Sequence, residues 1–86
     1  MPRVLSIHRS IVPLGDRTRY LDRLKARKEH YERAHCKFWA FEETALSGAF
    51  IEFVESNDAA ALAAAHVSSP EPVLDPHRIY TEVELT

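Results

Sequence analysis

The sequence is poor in two residue types that often mark a specialised fold, with one cysteine and two glycines in 86 residues. The single cysteine, Cys36, cannot form an intrachain disulfide, which excludes a disulfide-stabilised scaffold. The scarcity of glycine excludes a phosphate-binding glycine loop, a nucleophile elbow and a dinucleotide fingerprint. Because no cofactor-binding motif is present, we expect no cofactor.

Long hydrophobic runs are also missing. No apolar stretch approaches the ~20 residues of a membrane-spanning helix. The N-terminus has neither the apolar segment nor the small-residue cleavage site of a signal peptide, so we expect a cytoplasmic protein that does not bind membranes. With 45% hydrophobic and 28% charged residues the chain is globular. Residues 1–86 are expected to form one domain that buries only about 60% of its unfolded surface, so a partner subunit would add stability.

Positive charge is scarce in the second half of the chain, since eight of the eleven basic residues lie between residues 17 and 37. Such a cluster can neutralise phosphates. Here Asp22, Glu29 and Glu32 interrupt it, at spacings that pair opposite charges along a solvated helix. No aromatic stacking platform with flanking basic residues accompanies the cluster. We therefore do not expect nucleic-acid binding.

The hydrophobic pattern and the turn residues predict six elements in the order βαββαβ. Alternation and β-branched or aromatic residues predict the strands, whereas steps of three and four residues and helix-forming alanines predict the helices. Strands are predicted at 4–12, 37–43, 48–55 and 78–85, and helices from the residue after Asp16 to about residue 34 and at 59–66. The prolines between residues 68 and 77 predict an ordered loop. Asp16 and Asp58 are the predicted helix caps.

This order predicts a ferredoxin-like α+β fold, with a four-stranded antiparallel sheet, central first and third strands, and both helices on one face. Two helices cover only one face of such a sheet, so something else must cover the other. We expect the helices to lie over the aliphatic side of the strands, namely Leu5, Ile7, Ile51, Phe53, Ile79 and Val83. The uncovered side would then carry His8, Glu52, Tyr80 and Glu82. The register of the 37–55 hairpin stays open.

His8 and Glu52 are the candidate catalytic residues, because they would lie on adjacent central strands. A carboxylate beside an imidazole fixes its tautomer and raises its basicity, so His8 would remove an acidic proton while Glu52 orients it. Candidate ligand-binding residues are Trp39, Phe50, Tyr80 and Glu82. The same polar and aromatic side chains are also typical of a subunit interface.

A metal site is not expected. His30, His35 and Cys36 are close in sequence and are suitable zinc ligands, but the five-residue step from His30 to His35 places the two imidazoles on different sides of a helix.

The element order over nearly the whole chain resembles the dimeric α/β-barrel superfamily, as do the segments Phe38-Trp39-Ala40-Phe41-Glu42 and Gly48-Ala49-Phe50-Ile51-Glu52-Phe53-Val54-Glu55. This superfamily includes antibiotic-biosynthesis-monooxygenase-like, muconolactone-isomerase-like and stress-responsive barrel proteins. The resemblance implies a homodimer in which two sheets meet face to face. It also implies a small apolar or aromatic ligand in the space between sheet and helices.

Two functional hypotheses follow. In the first, the chain is a cofactor-independent monooxygenase or isomerase acting on an aromatic or polyketide-like compound, with His8 as base. In the second, it is a non-catalytic homodimer that binds a small ligand or a protein. The enzyme hypothesis requires a cavity of ~300 Å³ or more beside His8.

Overall fold

The structure is a computed structural model that describes residues 2–71, 73 and 75–85. It contains the six predicted elements in the predicted order. The strands are β1 (Val4–Ile11), β2 (Lys37–Glu42), β3 (Ala49–Ser56) and β4 (Tyr80–Thr81), and the helices are α1 (Arg17–Arg33) and α2 (Ala59–Val67). A short 3₁₀ turn, Leu14–Asp16, precedes α1. The last strand is much shorter than the predicted 78–85. Residues 72 and 74 of the predicted loop lie outside the described residues.

The four strands form one antiparallel sheet in the order β2-β3-β1-β4, so the first and third strands are central as predicted. In the central pair, Val4 lies opposite Ser56 and His8 lies opposite Glu52. On the other side of β3, Trp39 lies opposite Phe53. This topology confirms the ferredoxin-like α+β fold.

The helices pack on one face of the sheet through two clusters of buried side chains. The larger cluster joins both helices to the central strands and contains Val4, Tyr31, Cys36, Val54, Leu62 and Ala65. The smaller cluster lies under the first half of α1 and contains Tyr20, Leu24 and Phe50. Asp58 caps α2, since its Oδ1 accepts from the Ala60 N–H at 3.0 Å. Asp16 precedes α1 but makes no side-chain capping bond.

The central strands face opposite to our prediction. Along β3, Phe50, Glu52, Val54 and Ser56 are buried, whereas the alternate residues are only half-buried. His8 is paired with Glu52, and residues directly opposite each other share a face, so His8 also lies on the helix side. The predicted sheet face was therefore wrong for His8 and Glu52, the two candidate catalytic residues.

The expected aliphatic face is corrected in the same way. Leu5, Ile7, Ile51 and Phe53 lie on the uncovered face, and Val83, predicted to lie under the helices, is 74% exposed. At the start of β4 the prediction holds, because Ile79, which precedes the strand, packs against the larger cluster and Tyr80 pairs with Leu5 on the uncovered face.

The reversal has a physical reason in the composition of α1. Its buried residues are Tyr20, Leu24, Arg27 and Tyr31, so the helix offers two hydroxyls and a guanidinium to the sheet. A polar group is buried at low cost only where it finds partners. The strand face that carries Glu52 matches this helix, and the aliphatic face is left for another surface.

A surface ion pair ties the start of α1 to the β2–β3 hairpin. Arg17 donates two hydrogen bonds to Glu42, at 2.7 and 2.9 Å, and the Gly48 N–H donates a third at 2.9 Å. Hydrogen bonds from Arg17 and then from the Gly48 backbone lower the pKa of Glu42 from 4.5 to about 2.

We expect Glu42→Gln to reduce the acid sensitivity of folding. Because the pKa of Glu42 is lowered in the folded state, the ionised carboxylate stabilises the protein fully above pH 4.5, and this stabilisation is lost as the pH falls towards about 2. Solvent screens the pair, so the effect is small. Urea unfolding at pH 7 and at pH 3 measures it, with Glu43→Gln on the exposed neighbour as control. The prediction would be contradicted if the unfolding free energy fell by the same amount from pH 7 to pH 3 in the wild type and in Glu42→Gln.

Candidate ligand-binding site

A cavity of about 250 Å³ lies between the helix face of the sheet, α1 and the segment that follows α2. Its ionisable side chains include His8, Arg27, Glu52, His66, Glu71 and Asp75. Tyr31, Phe38 and Val54 line it with apolar surface. This volume is smaller than the ~300 Å³ that the enzyme hypothesis requires, and it lies just below the usual range of small-molecule sites. The cavity therefore suits a compact ligand with both a ring and polar groups.

Glu52 is buried at the sheet side of this cavity and both of its oxygens have partners. Tyr20 donates its hydroxyl to Oε2 at 2.7 Å, and Arg27 Nη2 lies 2.6 Å from Oε1. The Glu52 side chain is 5% exposed and that of Arg27 is 11% exposed. A buried charge is tolerated only when it is paired and hydrogen-bonded in this way.

The same contacts affect the protonation of the partners. Burial raises the pKa of Tyr20, and its hydrogen bond to Glu52 raises it further. Burial acts to lower the pKa of Arg27, but the carboxylates of Glu52 and Glu71 outweigh burial and hold that pKa above its ordinary value. Tyr20 therefore stays a hydrogen-bond donor and Arg27 stays a cation.

A second buried polar pair lies at the helix side of the cavity. The Tyr31 hydroxyl is 2.7 Å from His66 Nδ1, and both residues are buried. Burial, and secondarily the nearby His30, lower the pKa of His66, so its imidazole is neutral. Burial also raises the pKa of Tyr31.

Two tautomers of His66 are compatible with this pairing. A neutral imidazole has one donor and one acceptor nitrogen. If Tyr31 donates to Nδ1, the His66 proton is on Nε2, the one buried side-chain nitrogen or oxygen without a hydrogen-bond partner among the described residues. In the reverse arrangement Nδ1–H donates to the Tyr31 oxygen, the Tyr31 hydroxyl is directed to Ser69, and Nε2 is an acceptor without a partner. In both arrangements Nε2 of His66, a residue that lines the cavity, has no hydrogen-bond partner among the described residues.

His8 lines the cavity from β1 and is exposed, and its strand partner is Glu52. We predicted that Glu52 orients His8. In the structure both carboxylate oxygens of Glu52 already contact other side chains, those of Tyr20 and Arg27. The role of His8 as a base stays a prediction.

The structure does not bring the four predicted ligand-binding residues together. Trp39 and Tyr80 lie on the uncovered face, on the two edge strands of the sheet. Phe50 is buried against Tyr20, with ring centroids 4.7 Å apart. Glu82 accepts hydrogen bonds from Arg3 at 2.8 and 3.2 Å. Their roles in binding stay predictions.

Sequence reasoning missed Arg27, Tyr31, His66 and Glu71 as cavity residues. A signal was present on α1, since residues 20, 24, 27 and 31 follow steps of four, three and four, which place them on one helix face. His66 and Glu71 have no comparable pattern around them.

The uncovered face of the sheet is the second notable surface. Its apolar side chains are Leu5, Ile7, Trp39, Phe41, Ile51, Phe53 and Tyr80. Ile7, Phe53 and Trp39 form one row across three strands. Trp39 is 39% exposed and Phe41 is 56% exposed, and the Phe41 ring meets Phe53 edge-on at 5.8 Å. A contiguous exposed apolar surface on a small chain marks an interaction site.

Comparisons with protein-family models, with curated proteins and with solved structures return no match. In the part of the chain that the structure describes, no three histidine, cysteine or acidic side chains are grouped to hold a metal ion. Neither described helix has the length and apolar character needed to cross a bilayer. The fold and the cavity therefore carry the functional inference.

Proposed function

We propose that this ferredoxin-like chain is a homodimer of the dimeric α/β-barrel type that binds a small aromatic compound in its cavity and promotes cofactor-independent proton transfer, as monooxygenase- or isomerase-like proteins do. The observation that carries the proposal is the cavity between sheet and helices, where an imidazole and a buried ion pair meet an aromatic wall. His8 is the proposed base and Glu52 helps to set the polarity around it.

The shape and chemistry of the cavity support an aromatic ligand. Tyr31 and Phe38 are stacked, with ring centroids 5.8 Å apart and planes within 10°. Aromatic rings of a ligand pack favourably against such a wall. His66 Nε2, which has no hydrogen-bond partner among the described residues, would gain one from a polar group of the ligand, which removes the cost of burying it without a partner. A ring that bears both a carbonyl and an acidic hydroxyl fits this description.

The uncovered face supports the homodimer. Sheets that pack face to face bury aliphatic and aromatic side chains in a layer about 10 Å thick. A second copy offers the same apolar surface, and most soluble oligomers are symmetric homodimers of this kind.

A non-catalytic ligand-binding homodimer is the second candidate function. It is favoured by the pairing of both Glu52 oxygens with Tyr20 and Arg27, because a carboxylate so engaged has less capacity to orient His8.

Binding of 4-hydroxyacetophenone tests the first proposal against the second. We expect the wild type to bind this ketone with its phenol ionised, detected as the red-shifted phenolate absorption, because His8 accepts the phenolic proton. His8→Ala should still bind it but in the neutral form. His77→Ala removes an exposed histidine that does not line the cavity and serves as the control.

The outcomes separate the candidates. Binding of the neutral phenol by the wild type would support the non-catalytic protein and overturn His8 as base. Binding is monitored through the NMR shifts of the cavity residues. If these shifts show that 4-hydroxyacetophenone does not bind, both candidate functions are overturned.

A further inference from the structure

The carboxylate of Glu71 lies between two arginines of α1. Arg23 Nε is 3.4 Å from Glu71 Oε1, and Arg27 Nη1 is hydrogen-bonded to Oε2. Residues four apart lie on one face of a helix, so the two guanidinium groups converge on the same place. The geometry is that of a carboxylate-binding site whose occupant comes from the chain itself.

Arg27 has separate nitrogens for its two carboxylates. Nη2 contacts Glu52, which belongs to the sheet and is buried, whereas Nη1 contacts Glu71, whose side chain is 31% exposed. Glu71 follows α2 in a segment without regular secondary structure. Removal of Glu71 from Arg27 would therefore leave the buried pair with Glu52 in place and would free one guanidinium edge at the cavity wall.

We propose that Arg27, assisted by Arg23, binds the carboxylate of a small aromatic acid, and that Glu71 occupies this place until the ligand displaces it. The proposal rests on the cavity of the proposed function and names the ligand class for it. Tyr31 and Phe38 line the same cavity and would contact the ring. Planar guanidinium groups are the preferred partners of carboxylates.

The charge balance favours such an exchange. In the free protein the cluster of Arg27, Glu52 and Glu71 holds one cation and two anions, and Arg23 adds a cation at its edge. A ligand carboxylate that replaces Glu71 keeps this count. No additional charge is then buried without a partner, which is the condition for a charged ligand to bind in a partly buried site.

Binding of benzoate to Glu71→Gln tests the proposal. We expect benzoate to bind this variant at least about tenfold more tightly than the wild type. In the variant, benzoate no longer competes with the Glu71 carboxylate, and tenfold corresponds to the free energy of one charge-assisted hydrogen bond. Glu29→Gln makes the same change of net charge at an exposed α1 residue that does not line the cavity, and should leave benzoate affinity within about twofold of the wild type. Benzamide, which has no charge, should bind wild type and Glu71→Gln equally.

A third variant keeps the test independent of folding. Arg27 is too deeply paired to replace without risk to the fold, so Arg23→Gln, at a side chain that is 53% exposed, is combined with Glu71→Gln. We expect this double variant to lose part of the gain in benzoate affinity.

Several results would overturn the proposal. They are equal benzoate affinity in wild type and Glu71→Gln, no benzoate binding to Glu71→Gln, or the same gain in Glu29→Gln. The readout also separates this inference from the proposed function. If 4-hydroxyacetophenone binds in the cavity while benzoate gains nothing from Glu71→Gln, only the carboxylate exchange fails. If no aromatic probe binds any variant, the cavity is not a ligand site and both fail.

Discussion

Replacement of Arg27 with alanine is expected to destabilise the protein by about 3–5 kcal/mol, because it leaves the carboxylate of Glu52 buried without its counter-charge. Glu52 is 5% exposed and its remaining hydrogen bond, from Tyr20, is too weak to offset the lost pairing. The Glu71 carboxylate would lose its main partner as well. Urea unfolding of the wild type and the variant at pH 7 gives the difference in unfolding free energy.

Two further variants make this prediction specific. Arg23→Ala breaks an exposed pair with the same Glu71 and should cost no more than about 1 kcal/mol. The double variant Arg27→Met with Glu52→Gln removes both charges, keeps an oxygen to accept the Tyr20 hydroxyl, and should recover most of the loss, since paired removal of buried ions is often neutral. A loss for Arg27→Ala no larger than that for Arg23→Ala would contradict the buried ion pair.

Introduction of a charge at Phe53 should convert the proposed dimer into monomers. Phe53 lies at the middle of the row formed with Ile7 and Trp39, and a two-fold interface would contain the substitution twice. Burial of two unpaired carboxylates against apolar surface costs several kcal/mol, which corresponds to a dissociation constant raised by about a thousandfold or more. Sedimentation equilibrium of Phe53→Asp beside the wild type measures this change.

The control is Val67→Asp, which introduces the same charge at a residue of α2 that is 72% exposed and lies away from the uncovered face. This variant should remain dimeric. A milder change, Trp39→Ser, should weaken the dimer without placing a charge on the sheet. Circular dichroism of each variant shows whether the chain is still folded, which distinguishes dissociation from unfolding. The homodimer proposal would be rejected if the wild type sedimented as a monomer or if Phe53→Asp remained a dimer.

Both variants, Arg27→Ala and Phe53→Asp, have large expected effects because the helices cover the polar face of the sheet and leave the aliphatic face uncovered. We assigned the aliphatic side of the strands to the helices because apolar residues are usually inside. In this fold both sides become interior if a second subunit covers the sheet, so hydrophobicity alone does not identify the helix side. Arg27 and Tyr20 of α1 identify it, since they supply the partners that Glu52 needs.

The last strand shows a different limit of local patterns. Alternation from residue 78 to 85 predicted a long strand, yet only Tyr80 and Thr81 pair with β1 as a strand. The Glu82 N–H donates to the Arg3 carbonyl at 2.8 Å, and Val83 and Leu85 are exposed. Alternation describes what a segment would bury, but pairing needs strand partners in register, and the first residue of β1, Val4, already lies opposite Thr81.

The sequence by itself determined the element order and the cap of α2 by Asp58, because alternation, helical spacing and capping are local properties of neighbouring residues. The strand order then followed from the element order, because few topologies connect these elements. Tertiary structure alone decided which sheet face the helices cover and which residues meet in the cavity. Tyr20 and Glu52 are 32 residues apart, and Tyr31 and His66 are 35 apart. Such partners are selected by the desolvation cost of each buried polar group, which depends on the packing of the whole chain.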